Sequence, residues 1–202
     1  MLLVPDWSSG EEYLLHAAPE LVPLINKYGP CTLKPEPQER YFGILLTGII
    51  AQQLPPDVSL SIVNKLEELV GTPITPQAIL AATDDDLNSC GIISQKISYM
   101  KGFAQAVNDG EITINNFDQM TDNEIIKQLT QIKGLGQWTV EMFLLLALCR
   151  TDILPTADFK FQKRTKELYS LTALPKRKQA MELTEHWRPW RSLAVWYLWQ
   201  IK

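Results

Sequence analysis

Cysteine and histidine are scarce in this 202-residue sequence, and their scarcity excludes several chemistries at once. The three cysteines, Cys31, Cys90 and Cys149, are odd in number and far apart, which argues against a disulfide framework. No CxxC pair suggests zinc or an iron–sulfur cluster. His16 and His186 stand alone, so a metal-dependent mechanism lacks its usual side-chain donors. Long apolar runs are missing too. The opening Met1 to Pro5 is too short for a signal peptide or a span, and later runs are interrupted early, so no membrane partner and a soluble, cytoplasmic protein are expected. Excess positive charge is also absent: the net charge is −4. A protein that neutralises many phosphates is usually basic, so any nucleic-acid footprint should be short and its affinity strongly salt-sensitive.

Strand alternation is nearly absent, apart from a possible extended piece at Ile112 to Ile114, and the expected fold class is all-α. The length suits one core or two small lobes sharing a cleft. Gly10 to Tyr28 carries Leu14, Leu15, Ala18, Leu21, Val22 and Ile25 at helical spacing, with breaks expected at Pro19 and Pro23. A linker, Gly29 to Gln38, precedes an apolar helix from Tyr41 to Gln52 that Pro55-Pro56 stops. Asp57 or Ser59 should cap a helix running to Val70, ahead of Gly71. Thr75-Pro76 opens a short helix to Ala82, and Thr83 with Asp84 to Asp86 opens another reaching Cys90. That Asp run reads as a solvated helix start favoured by the dipole rather than a metal site. Ser94 to Asn108 is a helix with Ile97, Met100, Phe103, Ala104 and Val107 on one face. Thr121 with Glu124 forms a capping box for a helix ending near Leu129.

The segment from Thr130 to Leu148 is more specific. Two helices are joined by Ile132-Lys133-Gly134-Leu135-Gly136, and the second starts directly after Gly136. Glycines permit a tight turn and remove side chains where another backbone could approach. Unpaired N–H groups at such a helix start suit a phosphate, and Lys133 adds charge nearby. The same pattern also serves as a plain packing joint, and on the residues alone both readings stand. Val140 to Leu148 is apolar on nearly all sides and should be buried. Beyond it, Pro155 fixes an extended approach to Asp158, at or near another helix start. A carboxylate there is either a helix cap or a charged group at the mouth of a cleft.

Gly-Leu-Gly-Gln-Trp-Thr, beginning at Gly134, followed by Pro-Thr-Ala-Asp ending at Asp158, resembles the helix–hairpin–helix DNA glycosylases. Ile50-Ala-Gln-Gln53 is similar to that family's Gln-containing loop. Trp187 to Trp199 is similar to the C-terminal helix of the DNA-3-methyladenine glycosylase II branch. The likeness runs from about Tyr41 to the end. It implies one glycosylase unit over 1–202 with two helical lobes, about 1–53 with 170–202 and 54–169, and an active-site cleft between them. It further implies a damaged duplex as partner, bound through Gln52, Gln53, Leu54, Lys133, Gly134, Leu135, Gly136, Gln137 and Thr139. A sodium or potassium ion on the main-chain carbonyls of Thr130, Ile132 and Leu135 is implied as well; no other cofactor is expected.

Breaking a glycosidic bond builds positive charge on the sugar, and the resemblance gives Asp158 the task of stabilising it and orienting water. A base must first leave the stack, with Gln53 or Leu54 filling the gap. Alkylated purines are cationic and flat, and stack on aromatic faces. Among the six tryptophans, Trp138 and Trp199 fall where the branch has pocket aromatics, although Trp199 also suits core packing. Met142 occupies a pocket position that is aromatic in some relatives, and Pro55-Pro56-Asp57 stiffens the loop after the Gln pair; both depart from the pattern. Relatives that cleave the strand carry Lys where this chain has Trp138, and often four C-terminal cysteines for a cluster. The expectation is a monofunctional, monomeric enzyme releasing alkylated purines such as 3-methyladenine. The alternatives are a glycosylase for oxidised or mismatched bases, and a non-catalytic DNA-binding scaffold.

Overall fold

Thr75, Thr83 and Thr121 each take extended backbone and turn a side-chain oxygen onto an N–H of the following turn, and a helix starts at each. Asp86 and Glu124 reach back to complete two capping boxes. In the computed structural model, which describes residues 4–201, such punctuation divides the chain into α-helices and short 3₁₀ turns, with no strand among the described residues. The helices are α1 (Trp7–Ala17), α2 (Val22–Tyr28), α3 (Tyr41–Ala51), α4 (Pro56–Val70), α5 (Pro76–Ala81) and α6 (Asp84–Ser89). They continue with α7 (Ser94–Asn108), α8 (Asp122–Leu129), α9 (Gln137–Leu146), α10 (Phe159–Leu168), α11 (Arg177–Leu183) and α12 (Arg191–Gln200). None is long and apolar enough to cross a membrane.

The bounds expected for α7 and the capping box expected at Thr121 match the structure, and the helix start expected at Thr83 is closed by a second box; three other expectations do not match. Neither Asp57 nor Ser59 caps α4, which starts at Pro56 with no side-chain cap. A proline at N1 has no N–H to satisfy and a φ already suited to the helix. Pro23 does not break a helix but sits in the first turn of α2, for the same reason. Ile112 to Ile114 is not a strand: Ile112 and Ile114 are buried and a 3₁₀ helix begins at Ile114.

The described residues divide into two compact units, 36–143 and 4–35 with 144–201. The boundaries fall at 35/36 and 143/144 rather than near 53 and 169, because α3 packs on α4 and α7 while α10 packs on α12. In the first unit, Phe42 of α3 stacks on Phe103 of α7 with ring centroids 5.0 Å apart. Phe143 meets Tyr41 edge-on at 5.4 Å. Truncating a fully buried ring such as Phe103 to Ala would cost about 3–5 kcal/mol. In the second unit, α12 is nearly all buried from Arg191 to Leu198, and the core gathers Leu14, Leu21, Phe161, Trp187 and Tyr197. Glu20 Oε1 there accepts from the Tyr169 hydroxyl at 2.7 Å and the Trp187 indole at 2.8 Å.

Candidate active site and DNA-binding hairpin

The turn between α8 and α9 is built from short local bonds. Ile132 N–H donates to Leu129 O, and Leu135 N–H to Ile132 O, both at 3.0 Å. Gly134 takes φ +95° between them, a conformation L side chains rarely adopt. Its α-carbon also lies against Tyr99 of α7, so that an added Cβ would sit 2.7 Å from the ring. Two separate requirements therefore demand glycine at 134. Gly136 differs: a Cβ there would meet nothing within 4 Å. The chain in front of α9 is thus bare toward the outside.

The first α-helical bond at this end is Val140 N–H to Gly136 O, at 3.2 Å. The amides of Gly136, Trp138 and Thr139 donate to no protein group among the described residues. Unpaired donors at a helix N-terminus, with no side chain in front, form an anion site. Among the described residues the carbonyls of Thr130 and Leu135 accept no hydrogen bond, and that of Ile132 accepts one. Three nearly unencumbered hard oxygens within six residues fit a monovalent cation.

Gln52, Gln53, Thr130, Lys133, Trp138 and Thr139 line one open groove of about 690 Å³ together with the turn itself. Most of the residues expected at the DNA interface are therefore gathered in one place. Gln52 and Gln53 do different things within it. Gln52 turns its amide inward, donating to Gly134 O at 2.7 Å and Thr139 Oγ1 at 3.4 Å, and so ties the end of α3 to the hairpin. Gln53 is exposed and held at φ +59°. Leu54 is half-buried, Gln137 is exposed with its amide on Glu141 Oε1 at 2.7 Å, and Met142 is half-buried; none of these lines the groove.

Two contributors were not anticipated. Tyr99 walls the groove behind Gly134. Lys96 sends its ammonium to Ile50 O at 2.6 Å and Gln52 O at 2.8 Å, closing the C-terminal end of α3. Burial holds its pKa below the usual lysine value. A lysine in the first turn of α7 opposes that helix's own dipole, and this is the one sequence signal that it serves another helix.

In the second unit the loop before α10 is braced along its length. Ile153 N–H donates to Ser192 Oγ at 2.9 Å, Gln162 Nε2 to Thr156 O at 2.8 Å, and Asp158 N–H to Pro155 O at 2.9 Å. Asp158 is the N-cap of α10, its Oδ1 accepting from Phe161 N–H at 2.7 Å. The same oxygen accepts from the Trp199 indole N–H at 3.0 Å. Oδ2 accepts from no group among the described residues. Asp158 and Trp199 are thus brought together, half-buried, on α10 and α12.

Residues 46–189 match the model of the HhH-GPD superfamily base excision DNA repair proteins, and the chain belongs to that family. It is 30% identical over 201 residues to the alkylbase DNA glycosidase-like protein mag2 of Schizosaccharomyces pombe, covering 97% of this chain and 94% of that one. It is 32% identical to DNA-3-methyladenine glycosylase 1 of the same yeast, covering 89% of this chain and 79% of that one. Among solved structures, S. pombe 3-methyladenine DNA glycosylase (Mag1) in complex with abasic DNA superposes with a TM-score of 0.84 at 28% identity, covering 95% of each chain. The DNA-3-methyladenine glycosidase of Bacillus halodurans gives 0.83 at 28% identity, covering 98% of this chain and 90% of that one.

Proposed function

We propose that this protein is a monofunctional DNA glycosylase of base excision repair that releases alkylated purines such as 3-methyladenine from duplex DNA. The observation that carries the reading is Asp158, a carboxylate with one oxygen held by two donors and the other open. It is supported by relatives whose names specify alkylated bases.

The hairpin amides and Lys133 take backbone phosphates, which position the protein without reading sequence. The carbonyls of Thr130, Ile132 and Leu135 would hold a sodium or potassium ion that adds positive charge next to those phosphates. Gln53 or Leu54 fills the space a flipped nucleotide leaves; exposed Gln53, which lines the groove, is the better placed of the two. Trp138, 37% exposed, offers a ring face to a cationic base.

In the reaction the bond from C1′ to the purine nitrogen breaks and its electron pair leaves with the base. An alkylated, cationic purine therefore departs neutral, and the positive charge passes to the sugar. Asp158 stabilises that charge; water adds to C1′, and its proton passes to the carboxylate and then to solvent. Trp138 stands where strand-cleaving relatives carry lysine, so the products are a free base and an intact abasic strand.

Base release from methylated duplex DNA by wild type and by Asp158→Asn, without added metal or reductant, tests the reading. Release by wild type, falling by about 10²–10³ in the variant with duplex binding retained, is expected. No release from methylated, deaminated or oxidised DNA by wild type would leave only a DNA-binding scaffold.

A further inference from the structure

We infer that Trp199 acts on the reaction through Asp158, as a positioning residue that dedicates Oδ1 to the protein and reserves Oδ2 for the sugar. The inference rests on the glycosylase reading and specifies what the tryptophan does within it.

A carboxylate oxygen has two lone pairs, and Oδ1 of Asp158 has a donor for each. Phe161 N–H comes from the first turn of the helix that Asp158 caps, 2.7 Å away. The indole N–H comes from the end of α12, 41 positions along the chain, 3.0 Å away. Oδ2 has no donor among the described residues. Rotating the carboxylate about its Cβ–Cγ bond would exchange the two oxygens and break both bonds. One donor alone, as in an ordinary N-cap, resists that rotation weakly; two donors from different elements resist it well.

The indole nitrogen is a donor only, so its bond is strongest to an ionised acceptor. Trp199 is itself held from the main-chain side: Lys160 of α10 donates its ammonium to the Trp199 carbonyl. Arg164, one turn on, donates to Ile201 O at 3.1 Å. The end of α12 is thus stitched to α10 at successive turns, which fixes the indole relative to the helix start. Charge that appears at C1′ then meets an oxygen already in place, with no reorientation required.

Removing the N–H while keeping the ring separates this role from stacking on the base. We would replace Trp199 with 3-benzothienylalanine, which keeps the shape of indole and puts sulfur where the N–H was, and make Trp199→Phe beside it. Single-turnover release of 3-methyladenine from methylated duplex, and the Kd for a duplex containing an abasic site, are then measured. In the benzothienyl protein the release rate should fall by about tenfold to a hundredfold, the worth of one hydrogen bond to a charged group. The Kd should change by less than about twofold. Trp199→Phe should lose at least as much rate, although its ring can still stack. An unchanged rate in the benzothienyl protein overturns the inference, as does a loss carried wholly by the Kd. A wild type that releases no base defeats the glycosylase reading, and this inference with it; an active wild type beside an unimpaired benzothienyl variant defeats the inference alone.

Discussion

Helices α9 and α10 start in the same way and are used in opposite ways. Each begins after a tight, internally bonded approach, and each presents the positive end of its dipole. At α9 the preceding residue is Gly136, which has no side chain, and its amide and those of Trp138 and Thr139 donate to no group among the described residues. At α10 the preceding residue is Asp158, which takes the helix amide onto its own oxygen. An open start attracts an anion from outside; a capped start fixes an anion of the protein's own. In the function proposed above, binding and chemistry would differ by one side chain at equivalent positions.

The largest effect expected from breaking this contrast lies at Asp158. Both Asp158→Asn and Asp158→Ala should lose base release by about 10²–10³. Asn still caps a helix and Ala does not, so only the alanine variant should also lose about 1 kcal/mol in urea unfolding. Equal stabilities would mean that the cap contributes nothing. Next comes the converse change. Gly136→Asp gives α9 the kind of start that α10 has; because a Cβ meets no protein atom, the fold should tolerate it. Duplex affinity, read by fluorescence anisotropy, should fall by about tenfold or more through like-charge repulsion. Undiminished binding would show that the phosphate lies elsewhere.

A smaller effect is expected from Lys96→Met, which frees the carbonyls of Ile50 and Gln52. We expect a stability loss of about 1–2 kcal/mol. Binding to an abasic duplex should weaken more than binding to an undamaged one, because Gln53 is no longer held. Equal weakening on both would make Lys96 a fold residue only. Smallest of all, Lys133→Ala should weaken binding uniformly across sequences and reduce the slope of log K against log salt by about one.

How much of this was legible depended on the range of the interaction concerned. The capping box at Thr121 uses residues three apart, and the sequence displays it; at Thr83 the sequence showed a helix start, and the structure adds the return bond from Asp86. The hairpin is also local, and its groove collects most of the residues named from the motif. Pro56 and Pro23 were misread because a proline both ends one helix and begins another, and only the packing decides which. Lys96 and Tyr99 serve the groove across 46 and 35 positions respectively, with no periodic trace. Trp199 was legible as an aromatic near the site, but its hydrogen bond to Asp158, spanning 41 positions, leaves no local trace in the sequence.

The protein's cations divide by where they are used, and salt would tell them apart. Lys96 is bound to the main-chain carbonyl of Ile50 at 2.6 Å, and Arg191 to the carboxylate and carbonyl of Asp152 at 2.5 and 2.7 Å. Contacts this short and partly buried are little screened, whereas Lys133 is exposed in the open groove. Rising ionic strength should therefore empty the protein of DNA while its melting temperature hardly moves. On a heparin column it would elute early yet fully folded, as expected for a chain of net charge −4.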